Sequence, residues 1–234
     1  INAAKSGGQL LQQAWFDVKF KEAAQLRVGK FKTPFSHAYL TTLGETLFPQ
    51  LPTSLTTAVI MPYTLNAVTP NIGTGFDLGV ELHGLVKDKF GYEIGLFNGT
   101  GAAVNTASKT MSDDWHIPSL LYAGRFTYMP YGVMPSTQGN PNRLDEKKML
   151  IGVSGSINVE SENESTNDTR VGFEWALLYH KWYFAAEAYW MNVGFTKRQK
   201  INEHYNYVGG YIQGGYFVAP RVQLAARYDI MNRN

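Results

Sequence analysis

The chain has 234 residues and no cysteine, and its 21 lysines and arginines stand against 19 aspartates and glutamates for a formal charge of +2. The lack of cysteine excludes disulfides, a thiolate nucleophile and zinc–thiolate sites, and a charge this balanced offers no broad basic surface for nucleic acid. No run of about 18 apolar residues occurs, which excludes a transmembrane helix but leaves open a membrane span built from strands of about 10 residues, half of them polar.

Apolar residues recur at every second position in segment after segment, the period of a β-strand. In chain order the pattern predicts strands over 9–20, 25–33, 75–87, 90–98, 119–129, 147–158, 169–179, 181–191, 205–217 and 220–232. The connections alternate in length. Those at 20–24, Lys87-Asp88-Lys89, His180 and Val218-Ala219-Pro220 are short; 34–74, 99–118 and 192–204 are long. Short turns on one rim and long loops on the other characterise outer-membrane barrels. The 129–147 connection breaks the pattern, being long on the short-turn side, with prolines at 130, 135 and 141. The first predicted strand starts, and the last ends, at the long-loop rim. Bacterial single-chain barrels normally have both termini at the other rim, so the chain is expected to be a segment of a larger barrel. An open arc would leave unpaired edges in hydrocarbon. Residues 1–234 are read as one barrel domain.

Each strand has two chemically distinct faces. Phe16, Val18, Leu78, Val80, Leu82, Tyr122, Phe126, Tyr128, Phe173, Trp175, Leu177, Leu224 and Tyr228 form the candidate lipid face. Mid-bilayer, a basic charge there would cost about 2–4 kcal/mol. The opposite face carries the candidate pore-lining residues Asp17, Lys19, Arg27, Asp77, Glu81, Glu93, Arg125, Glu174, Glu187, Arg227 and Asp229, with His83 among them. These either meet water or pair across the wall and set its shape.

The connection 34–74 is too long for an ordinary hairpin loop. It is apolar, punctuated by prolines at 49, 52, 62 and 70, and Glu45 is its one residue among Asp, Glu, Lys and Arg. A segment this apolar is expected to fold into the barrel and narrow it, with Glu45, Phe48, Leu51 and Leu55 as candidate constriction residues; packing on a neighbouring subunit or partner is the alternative.

Four stretches resemble one family in order and spacing over about residues 10–101. Leu26-Arg27-Val28-Gly29-Lys30-Phe31-Lys32-Thr33-Pro34-Phe35 resembles the strand entering the long loop of the phosphate-selective porin O and porin P family. Leu51-Pro52-Thr53-Ser54-Leu55 resembles its mid-loop, Asp77 to Gly84 the strand leaving it, and Gly95-Leu96-Phe97-Asn98-Gly99-Thr100-Gly101 the end of the next strand. The resemblance implies an all-β transmembrane antiparallel barrel of sixteen strands, about ten of them in this segment. It implies a homotrimer in the bacterial outer membrane, in contact with lipid and lipopolysaccharide. It also implies passage of small solutes, including anions such as phosphate, with selectivity carried by Arg and Lys at the constriction. This chain departs on the last point. Residues 34–74 hold no Lys or Arg, and carboxylates outnumber bases among the pore-lining candidates. Lys19, Arg27, Arg125 and Arg227 would make a basic patch only if they lie together.

No enzyme motif, cofactor or metal site is read. His37, His83, His116, His180 and His204 show no metal-ligand spacing, and there is no G-x-S-x-G elbow. Glu160, Glu162, Glu164 and Asp168 form an acidic loop, read as a solvated surface or as a divalent-cation bridge to lipopolysaccharide. Three readings stand: a porin for passive diffusion; a scaffold barrel plugged by its own loop and anchoring partners; and a soluble β-sandwich or binding module, which the aromatic face and the loop alternation disfavour.

Overall fold

The computed structural model describes residues 13–60, 76–99, 120–140, 145–159, 168–194 and 204–233. The later part of the long connection, the centre of the acidic loop and residues 9–12 of the first predicted strand lie outside them.

Ten antiparallel strands form a single sheet: β1 (Ala14–Lys21), β2 (Ala24–Lys32), β3 (Phe76–Val86), β4 (Phe90–Phe97), β5 (Leu121–Tyr128), β6 (Lys148–Asn158), β7 (Asp168–Tyr179), β8 (Trp182–Gly194), β9 (His204–Ala219) and β10 (Val222–Arg233). Every strand pairs with its neighbours in sequence, in the order β1 to β10, and the sheet is open among the described residues. All ten predicted strands are present. The last hairpin turns later than the pattern suggests, at Pro220 and Arg221, and β10 begins at Val222. Pro220 has no amide hydrogen to give to the ladder, so it falls in the turn. At the β3–β4 hairpin, Lys87 and Asp88 both adopt positive φ (53° and 52°), and Lys89 N donates to Val86 O. This is the type I′ geometry whose twist matches the flanking strands.

Alternation sorts the residues as expected. Phe16, Val18, Leu78, Val80, Leu82, Phe126, Tyr128, Phe173, Leu224 and Tyr228 are exposed on the outer face. Near the short-turn rim, aromatic rings cluster on that face: Phe90 stacks on Tyr128 at 4.9 Å, and Trp182 meets Phe184 at 5.3 Å and Tyr216 at 4.3 Å.

The segment after β2 folds back onto the inner face. It forms α1 (His37–Leu40), a 3-10 turn at Leu43–Glu45 and α2 (Thr53–Ile60). One short segment touches β2, β7, β8, β9 and β10, so the sheet must curve around it. The main inner core joins Phe35, Ala38, Tyr39, Leu55 and Ala58 of this segment to Tyr189, Met191, Tyr207 and Tyr211 of the wall.

Candidate pore-lining site

Strand register sets the inner charges opposite one another. Asp17, Arg27 and Glu81 occupy one row across β1, β2 and β3, and Glu93 faces Arg125 across β4 and β5. Arg27 therefore reaches Asp17 at 3.0 Å and Glu81 at 3.2 Å. Arg125 bonds Glu93 at 2.8 Å and Glu174 at 2.7 Å. His83 Nε2 lies 2.9 Å from Asp17. Glu174 reaches Arg125 past β6 because Gly152 stands between them: a Cβ there would sit 2.3 Å from the Glu174 carboxylate.

This network borders a cavity of about 430 Å³. Arg27, His83, Glu93 and Arg125 line one side, His37, Leu40 and Thr41 of the folded-in segment another, and Met129, Met134 and Ser136 of the β5–β6 connection the third. His37 is buried, and its Nε2 has no hydrogen-bond partner. Burial and then the positive charge of Arg125 push its imidazole down to about 3, so it is neutral.

The inner face of β7 to β10 does different work. Glu187 accepts from Ala38 N at 2.9 Å and from the hydroxyls of Tyr189 and Tyr211 at 2.7 and 2.8 Å. Asp229 accepts from Thr53 N and Ser54 N, two amides that the start of α2 leaves without helical partners. Arg170 donates to Ala58 O at 2.6 Å, Tyr207 to Ser54 O at 2.9 Å and Arg227 to Gln50 O at 2.8 Å. Gly172 leaves room for the Phe35 ring, which a Cβ would approach to 3.0 Å.

The sequence-derived candidates thus separate. Asp17, Arg27, Glu81, Glu93, Arg125 and Glu174 come together in the network, whereas Glu187, Arg227 and Asp229 hold the segment. Lys19 pairs with Glu22 at the exposed short-turn rim. Asp77 is buried and accepts from the amides of Leu78 and Gly99 at 2.8 and 2.7 Å. Arg27 and Arg125 lie near each other beside the cavity, but Lys19 and Arg227 do not join them. In the long segment, Leu55 is fully buried against the wall and Leu51 packs beside it. Phe48 lies under the Arg227 guanidinium at 4.6 Å, and the Glu45 carboxylate accepts from Ser136 Oγ at 3.2 Å. Sequence reasoning missed Arg170, Tyr189, Tyr207 and Tyr211. Their inward parity was readable, since Arg170 shares it with Glu174, and Tyr189 with Glu187.

An antiparallel meander that is apolar and aromatic outside, charged inside, and carries a folded-in segment defines the class of outer-membrane β-barrels. The family model for phosphate-selective porin O and P matches residues 2–234, nearly the whole chain. The chain belongs to this family of outer-membrane porins. No match was found among curated proteins or among solved structures.

Proposed function

We propose that the protein forms a water-filled outer-membrane channel for passive diffusion of small solutes, narrowed by the segment that follows β2, with a cation preference or none. The observation that carries this reading is the charge pattern beside the cavity. Two guanidinium groups, Arg27 and Arg125, are each held by two carboxylates, from Asp17, Glu81, Glu93 and Glu174. An arginine saturated in this way has little left to offer a passing anion, so the band lacks the free positive charge that an anion preference needs. Among the described residues, the phosphate selectivity in the family's description has no matching row of unpaired arginines in this band. The reading includes a homotrimer embedded in lipid and lipopolysaccharide, which crosslinking in native membranes tests.

The deciding experiment is the single-channel reversal potential of detergent-purified protein in a salt gradient. A cation preference, or none, supports the reading, and a clear anion preference overturns its selectivity. An absence of conductance overturns the channel itself. It would favour a scaffold barrel filled by its own segment, a reading supported by the two apolar clusters packed on the inner side.

A further inference from the structure

The β5–β6 connection, long where the other turns on its rim are short, does not hang into solvent. It leaves β5 at Met129, whose amide donates to Lys89 O at 2.7 Å, and then crosses the inner side of the sheet. Met134, Gln138 and Asn140 are all buried. Met134 enters an apolar cluster with Leu150, Leu178 and Tyr183, against which Leu47 of the folded-in segment packs. Asn140 donates to His180 O in the β7–β8 turn.

Gln138 sits where the two connections meet. Its amide donates to Glu45 O at 2.8 Å. Its side-chain oxygen accepts from Leu47 N at 3.2 Å and from Gln213 Nε2 of β9 at 2.9 Å. One side chain thereby ties the folded-in segment, the crossing connection and the wall together. Its own Nε2 has no hydrogen-bond partner, so the acceptor oxygen does the joining. Beside it, Ser136 donates to the Glu45 carboxylate.

We infer that residues 129–140 form a strap, entering from the short-turn rim, that fixes the constriction segment in place, with Gln138 as its positioning residue. The segment is then held from both rims: by its chain connection at one and by the strap at the other. The width of the opening is set at the 45–47 and 136–138 junction as well as by the wall. In its conductance readout this inference rests on the channel reading above; its labelling readout does not.

The test uses the absence of native cysteine. A single Thr46→Cys reports exposure of the segment to a water-soluble thiol reagent, whether or not the protein conducts. Gln138→Met keeps the volume and removes the acceptor. It is expected to speed labelling about tenfold, as follows from losing two hydrogen bonds of ordinary net strength, and to add fluctuations to the open-channel current. A disulfide formed by Glu45→Cys with Ser136→Cys, in a Gln138→Met background without Thr46→Cys, is expected to quiet the current again. It also tests the junction if Gln138→Met alone folds poorly. Labelling that Gln138→Met leaves unchanged, in a protein that conducts normally, overturns the strap and spares the channel. Faster labelling in a protein that never conducts supports the strap and overturns the channel.

Discussion

The inner face of β1 to β5 and that of β7 to β10 come from the same alternating pattern but use their charges in opposite ways. In the first half, carboxylates and arginines face one another across adjacent strands, and Arg27, Glu93 and Arg125 border open space. In the second, Glu187 and Asp229 accept backbone amides from the folded-in segment, and Arg170 and Arg227 cap its carbonyls. A charge on the inner wall is therefore not by itself a charge in the path of a solute. What decides is whether another part of the chain covers it, since a buried polar group must find its partner within the protein.

The sharpest way to break this contrast is Glu187→Ala. It strips the acceptor from Ala38 N and from two tyrosine hydroxyls in a buried site, partly offset by removing a carboxylate that stands directly opposite Glu174. The expected loss is about 3 kcal/mol, read as a lowered thermal midpoint, with the ion preference of intact channels unchanged. Gly152→Ala works at the seam between the halves. Its Cβ would force Glu174 away from Arg125, at a cost of about 2 kcal/mol. Unlike Glu187→Ala, it is expected to move the reversal potential toward anions, because the Arg125 guanidinium is partly released. The smallest effect sharpens the link between the halves through His37, which belongs to the segment but lies beside Arg125. A solvated imidazole binds a proton near pH 6.5, whereas the docked one does so only near 3. The contribution of His37 to docking is therefore complete above pH 6.5 and weakens as pH falls toward 3, by about 1.4 kcal/mol per unit. Current fluctuations are expected to grow between pH 7.5 and 5.5, and His37→Phe is expected to reduce that growth.

Much of this was legible in the sequence because both its signals are local. Period two gives a strand and sorts its faces, and Gly, Pro and charge runs mark the turns. Glu81, Glu93 and Arg125 could be placed on the inner wall from parity alone. Parity says nothing about what lies over a residue, so Glu187 and Asp229 read the same as Glu93 although they clamp the segment. The helices of that segment were also not legible. Ser36 caps α1 at Tyr39 N, but the start of α2 relies on Asp229, which lies 175 residues away in sequence from Ser54. The Gln138 junction depends on three elements meeting, and the one hint of it was an overlong connection on the wrong rim.

The meander makes each tight turn a ruler for the strands it joins. Each described strand pairs with its sequence neighbours, so the turn and the pairing on the far side of each strand together hold off a hairpin closed one residue out of step. Such a slip between β3 and β4 would carry Glu93 to the hydrocarbon side and leave Glu81 facing the wrong row. The positive φ angles accepted by Lys87, Asp88 and His180, unfavourable for each residue alone, therefore help to set which side of the sheet the charges of each strand face. A hairpin that missed them would turn ionised groups toward lipid, which costs free energy.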